Sequence, residues 1–153
     1  SLPSILSRSR SFKAAETEAA EHAFDLLRLV GLDNAASRPA GGLSYGDRRR
    51  VEIARALASS PQIVLMDEPA AGMNPTETRE LMGLLQTLKA RGITLLIVEH
   101  DMHFIMALCD RITVLNFGRK IAEGAPADVR VNPLVIEAYL GAKVAGALAA
   151  GAS

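Results

Sequence analysis

Two neighbouring carboxylates, Asp67 and Glu68, follow the apolar run Ile63-Val64-Leu65-Met66 and precede Pro69. A short continuous apolar run suits a strand buried on both faces, as in a parallel sheet. In open α/β sheets, ligands bind outside the carboxyl ends of the strands. Asp67 there can hold a hard cation such as Mg²⁺, usually through water. Glu68, one step on, would point the opposite way along the strand and could polarise an attacking water. The same residues also fit a strand that simply ends in a solvated acidic turn.

A second group is Leu43-Ser44-Tyr45-Gly46-Asp47, just before Arg48-Arg49-Arg50. A serine and a glycine at a helix start offer a hydroxyl and free backbone N–H groups, and the helix dipole adds partial positive charge. That is a cradle for a phosphate. Ser44 with Asp47 three later is also nearly a capping box, which needs no ligand. Taken alone, these residues favour the cap, and the arginines favour a solvated helix face.

A third group is Val98-Glu99-His100-Asp101. His100 follows a second apolar run and could hydrogen-bond a phosphate or an attacking water. Glu99, Asp101 and His103 nearby suggest a metal site, but adjacent positions diverge and no further ligand spacing supports it. A surface histidine is the plain alternative. Asn74-Pro75-Thr76-Glu77 has a complete structural explanation: Asn74 caps, Pro75 takes the first helical position and Glu77 the third. Cys109 reads as core.

These groups need elements to position them. Residues 1–12 read as a frayed lead-in. Lys13 to Val30 is expected to be an amphipathic helix with Ala20, Ala23, Phe24, Leu27 and Val30 on one face, stopped by Gly31. Pro39 and Gly41-Gly42 punctuate a loop. A helix from about Asp47 to Ser59 buries Val51, Ala54, Leu57 and Ala58. Strand 63–66, a helix from Pro75 to Arg91 with Leu81, Leu84, Leu85 and Leu88 inside, and strand 93–98 make a right-handed βαβ unit with a parallel sheet. Met102 to Leu108 is a short helix. Arg111–Leu115 and Arg119–Ala122 form a hairpin about Asn116-Phe117-Gly118. Pro126–Val131 and Pro133–Leu140 are Pro-led helices, and the Ala/Gly-rich end from Lys143 is a loose tail.

Composition narrows the classes. The chain has 153 residues, 49% hydrophobic and 22% charged, which argues against wholesale disorder. Seventeen basic residues balance seventeen acidic ones, which gives no support for nucleic-acid coating. One cysteine excludes an intramolecular disulfide framework and fits a reducing compartment. No apolar run reaches the ~18–20 residues that span a bilayer, and no apolar segment follows the Ser-rich start as in a secretory signal.

The order of the three groups is more telling than any one of them. A Leu-Ser-x-Gly-x helix start, an apolar strand ending Asp-Glu-Pro and a strand-end histidine resemble an ABC-type ATPase. The resemblance implies that Leu43 to Asp47 is the family's signature sequence. Ile63 to Glu68 would be Walker B, with Asp67 on the Mg²⁺ side and Glu68 as catalytic base. Ala71-Gly72-Met73-Asn74 would be the D-loop and His100 the switch histidine. Leu-Ser-Tyr-Gly-Asp, Asp-Glu-Pro-Ala-Ala-Gly-Met-Asn-Pro, Glu-His-Asp-Met and the ending Asn132-Pro133 to Tyr139-Leu140-Gly141 are similar to ATP-binding subunits of branched-chain amino acid importers, the longer of the two in such systems. The resemblance covers about Ala15 to Gly141. Tyr45 and Asp47 replace the commonest Gly and Gln of the signature, and Asn74 replaces the usual D-loop Asp.

The implied fold is α/β: a partial P-loop NTPase core with parallel strands flanked by helices, a C-terminal β-hairpin and part of the helical subdomain. The implied division is 1–60 helical subdomain with the signature, 61–141 the ATPase core portion, and 142–153 a flexible tail. ATP and Mg²⁺ are the implied cofactors, with Ser44, Tyr45, Gly46 and Asp47 facing ATP held by an opposing subunit. A second ABC ATPase subunit and integral membrane permease subunits are the implied partners, without nucleic acid and without direct amino-acid binding. The implied location is cytoplasmic, peripheral on the inner face of the membrane.

No G-x-x-x-x-G-K-[ST] occurs in the chain. The adenine-stacking aromatic and the glutamine loop of the family are missing too, so the chain reads as the carboxyl-terminal portion of such an ATPase. It is expected not to turn over ATP by itself, and to be poorly soluble or oligomeric through an uncovered apolar strand. The alternatives are a non-catalytic interaction module that lends its signature to an intact partner, and an ABC ATPase of non-transport function.

Overall fold

The computed structural model describes residues 10–139. Leu140 at the end of the last expected helix, the residues after it and the first nine residues of the lead-in lie outside the described residues. The described chain divides into two compact units along the sequence, one up to Val98 and one from Glu99.

In the first unit, α1 covers Arg10–Leu29 and α2 Tyr45–Leu57. Strand β1 is Ile63–Asp67, α3 is Pro75–Ala90 and β2 is Thr94–Val98. Helix α3 starts where Asn74 and Pro75 require and buries Leu81, Leu84, Leu85 and Leu88, the stripe its periodicity predicts. Its residues pack against α2 and β2. β1 and β2 pair in parallel, with Leu65 opposite Leu96 and Asp67 opposite Val98.

Two expectations need correction here. The strands are not buried on both faces. Val64 is buried, but Leu65 is 68% exposed, and Ile63, Leu96 and Val98 are exposed with it. The physical reason is that the described sheet has only two strands, and α3 leaves one face uncovered. The α1 stripe is also mostly uncovered: Val30 is buried and Leu27 half-buried, whereas Ala20, Ala23 and Phe24 are exposed. Phe24 carries the Arg28 guanidinium 5.1 Å from its ring centroid. In α2 the buried set is Gly46, Ile53, Ala54 and Leu57, with Val51 half-buried and Ala58 exposed.

In the second unit, α4 is Met102–Leu108, β3 Ile112–Asn116, β4 Arg119–Gly124 and α5 Pro126–Arg130; residues 133–139 are again helical. Phe104, Leu108, Ile112, Ala122, Val129 and Val135 form its core. Asn116 pairs with Arg119, so the hairpin turn is the two residues Phe117 and Gly118, both at positive φ. Such a turn matches the right-handed twist of the flanking strands.

One ion cluster pins the hairpin. Glu123 accepts from Lys120 Nζ at 2.7 Å and from Arg111 Nη2 at 2.6 Å. The Lys120 hydrogen bond, then that of Arg111, holds the Glu123 carboxyl at about 2 rather than 4.5. A depressed carboxyl stabilises the fold above the unfolded value and loses that effect as pH falls toward the folded one. The melting-temperature gap between the native chain and Glu123→Gln should therefore be full above about pH 4.5 and close toward pH 2. It should also shrink in high salt, because both cations are more than half exposed. A gap that stays constant from pH 6 to pH 2.5 would show that these bonds do not stabilise the hairpin.

Candidate functional site

Ser44 sits just before α2 with extended ψ, and its Oγ accepts the Asp47 N–H at 3.1 Å. The cap reading of the serine holds as local geometry. The carboxylate of Asp47 does not return to the Ser44 backbone; it pairs with Arg50. Half of the capping box is therefore made, and the first turn of α2 keeps other backbone N–H groups that no intrahelical partner can use. Of the three arginines, Arg49 binds Glu52 at 2.8 Å and lies 5.9 Å from the Tyr45 ring centroid. The Glu52 hydrogen bond raises its pKa above the ordinary value. Arg50 joins Asp47 to Glu80 on α3.

The acid pair lies where the apolar run predicts, at the carboxyl end of β1. Asp67 is exposed and is the last strand residue. Glu68 departs from the expected alternation. Its N–H still donates to the Val98 carbonyl at 2.8 Å, but its φ is +43°. A non-glycine residue held in the left-handed region costs on the order of 1–3 kcal/mol, and such strain gathers at functional sites. The chain turns away from the sheet at Glu68 instead of continuing flat. Ala71 N–H donates back to the Glu68 carbonyl at 3.1 Å, and Gly72 takes φ +75°. This turn delivers Asn74 to the start of α3.

Asn74 then makes the complete capping box. Its Oδ1 accepts from Thr76 N–H at 2.9 Å and Glu77 N–H at 3.0 Å, and its own N–H donates to Glu77 Oε2 at 3.0 Å. Sequence pattern alone finds this box. It does not find that the box touches α2: a Cβ at Gly46 would lie 2.9 Å from Glu77 Oε1, and one at Gly72 would lie 3.6 Å from the Tyr45 ring. The Ser44–Asp47 helix start and the turn after Glu68 are thus neighbours within the first unit.

His100 belongs to the second unit. Its side chain is 77% exposed, and its Nδ1 lies 3.8 Å from Glu99 Oε2. The sequence pattern offers Glu99 only as a metal ligand. Its side chain is 3% exposed, and its carboxylate accepts the N–H groups of His100 at 3.0 Å and Asp101 at 3.4 Å. It therefore shapes the backbone that presents His100. Asp101 caps α4 through the His103 and Phe104 N–H groups. The signal that could have flagged Glu99 is its position at a strand-to-helix junction, where free N–H groups seek an acceptor.

Among the described residues no group of three or more His, Cys, Asp or Glu side chains could hold a metal ion. Asp67 alone still fits Mg²⁺, which keeps several waters and is bound by one or two carboxylates plus substrate phosphates. The chemistry on offer is a hard-cation carboxylate, an adjacent carboxylate on left-handed backbone and a separate helix start with amide donors.

Comparison with known proteins adds independent information. The family model described as ABC transporter matches residues 3–71, and the one described as branched-chain amino acid ATP-binding cassette transporter matches residues 119–145. The high-affinity branched-chain amino acid transport ATP-binding protein LivG of Escherichia coli is 47% identical over 137 residues, covering 89% of this chain and 54% of that protein. The lipopolysaccharide export system ATP-binding protein LptB of Acidithiobacillus ferridurans is 36% identical, covering 90% and 57%. A crystal structure of the ADP conformation of an ATP-binding cassette of an ABC transporter superposes with a TM-score of 0.75 at 38% identity, covering 81% of this chain and 50% of that one. The chain spans about half the length of the curated relatives it matches.

Proposed function

The chain belongs to the ATP-binding subunits of ABC transporters, in their branched-chain amino acid group, and from that premise we propose that it is part of the energy-coupling ATPase of an importer for branched-chain or similar hydrophobic amino acids. The ATPase does not touch the amino acid. Closure of two ATPase subunits on ATP drives membrane permease subunits from the cytoplasmic face. Among the described residues no helix is long and apolar enough to cross a membrane.

One observation supports this most: two adjacent acids leave the carboxyl end of a parallel strand, the second of them at φ +43°. Asp67 would hold Mg²⁺ through water. Bound there, the ion would neutralise charge developing on the phosphates. Glu68 would accept the proton of the attacking water, its carboxyl aimed by the turn that the left-handed backbone begins. His100 would hydrogen-bond the terminal phosphate, on a backbone shaped by Glu99. Ser44, Tyr45, Gly46 and Asp47 would face ATP held by the opposing subunit, through amides and a hydroxyl at a helix start. The match at residues 119–145 favours amino acid import over export of another cargo.

The chain carries no lysine-bearing phosphate loop of the G-x-x-x-x-G-K-[ST] kind. We therefore expect the purified 153-residue chain to release no phosphate from Mg²⁺-ATP, yet to supply its Ser44–Asp47 segment to an intact partner. Phosphate release from the chain alone, lost in Glu68→Gln, would overturn this reading. So would assembly with an intact ATPase whose turnover ignores substitution of Ser44.

A further inference from the structure

We propose that Glu77 is a positioning residue for the phosphate-facing start of α2, its carboxylate capping α3 with one oxygen and abutting Gly46 with the other. The proposal rests on the role given above to Ser44–Asp47.

The side chain of Glu77 is not free to choose its place. Oε2 accepts the Asn74 N–H, while Asn74 Oδ1 accepts the Glu77 N–H. This closed ring fixes the rotamer and leaves Cγ, Cδ and Oε1 facing α2. A Cβ built on Gly46 would meet Oε1 at 2.9 Å and both carbons at 3.0 Å. Those separations are well inside van der Waals contact, so α2 can come this close only with a glycine there. Gly46 has an ordinary helical φ, since it is absent from the positive-φ residues. Close approach, rather than an unusual backbone, is therefore its local requirement. Gly46 is buried and lies in the first turn of α2, where a carboxylate is also favoured by the helix dipole.

Two more contacts run the same way. The Tyr45 ring lies against Gly72, in the turn after Glu68. Arg50 Nη2 reaches Glu80 Oε2 at 3.3 Å, joining α2 to α3 one turn further along. Tyr45 is exposed, whereas the Arg50 side chain is only 20% exposed and is held by both Asp47 and Glu80. The Glu77 carboxylate is held by the capping box on α3 while it packs on buried Gly46 of α2. A cap alone accounts for Asn74 and Pro75 but not for the packing on Gly46. The consequence is that the turn carrying Glu68 and the helix start carrying Ser44 move as one piece.

The test uses a full-length parent ATPase that carries this segment, assembled with its permease, comparing the native protein, Glu77→Ala and Glu77→Gln. Glutamine keeps the capping-box acceptor, and alanine removes it. Hydrogen exchange should rise roughly tenfold in Glu77→Ala over residues 44–50 as well as 74–80, and stay near native in Glu77→Gln. In the same proteins kcat should fall roughly five- to tenfold in Glu77→Ala with little change in KM for Mg²⁺-ATP, and recover in Glu77→Gln. Exchange that rises only over 74–80 is what a cap alone would give, and it overturns the proposal. Native kcat in Glu77→Ala overturns it too. Should Glu77→Ala fail to assemble, Gly46→Ala pushes on the same contact from the other side and must raise exchange over 74–80; unchanged exchange there is equally fatal. If Glu68→Gln leaves turnover intact, the catalytic reading of the chain fails, while the exchange measurement still decides the contact.

Discussion

Replacing Glu68 by glutamine in a full-length parent ATPase that carries this segment, assembled with its permease, should lower ATP turnover by roughly 10²–10⁴-fold, the usual weight of a positioned general base. The substitution is nearly isosteric. It removes the ability to take a proton while keeping the size of the group and the left-handed turn at φ +43°. KM for Mg²⁺-ATP should change far less than kcat, because proton transfer from water belongs to the transition state and not to substrate binding. The companion change Asp67→Asn should instead weaken the response to Mg²⁺, since that carboxylate is assigned to the ion. Steady-state turnover against Mg²⁺ and ATP concentration separates the two. A Glu68→Gln protein with kcat within about threefold of native would remove Glu68 from the mechanism.

The second large effect concerns the framework. Leu85 is 0% exposed on α3, between Leu81 and Leu88. Leu85→Ala should cost about 2–5 kcal/mol, the lost transfer energy plus the cavity left behind. The upper part of that range is expected, because α3 packs against both α2 and β2, and neither can collapse inward without disturbing the other. The loss should reach the site: α3 carries the capping box that holds the turn after Glu68. Equilibrium denaturation of the chain reads the stability directly. A loss below about 1 kcal/mol would mean that this stripe is not the core it resembles. As a contrast, Leu65→Ala should cost much less, since Leu65 is 68% exposed.

The elements of this chain were largely legible because they obey local rules. Asn74-Pro75-Thr76-Glu77 specifies its own helix start, and the 3.6-residue spacing of Leu81, Leu84, Leu85 and Leu88 specifies which face turns inward. Gly118, free to take positive φ, marks the hairpin turn, although Phe117 before it also sits at φ +45°. The acid pair after an apolar strand, the signature-like helix start and the strand-end histidine are linear patterns too, and their order along the chain carried the family. Burial was less legible. The apolar run 63–66 reads as a two-sided interior strand, yet Ile63 and Leu65 are exposed, because burial depends on what else covers the sheet.

What the residues determined by themselves is therefore chemistry and local conformation: which groups can bind a cation, accept a proton or cap a helix. What only the tertiary structure decided is which of these local pieces touch. Glu77 reads as a cap and no more until α2 is seen lying against it with Gly46 at the contact, and Glu68 reads as the next residue of a strand until its backbone is seen to turn. The physical reason is the range of the forces involved. Capping and helical periodicity act over three or four neighbouring residues, whereas close packing and a strained backbone are set by contacts between residues distant in the chain.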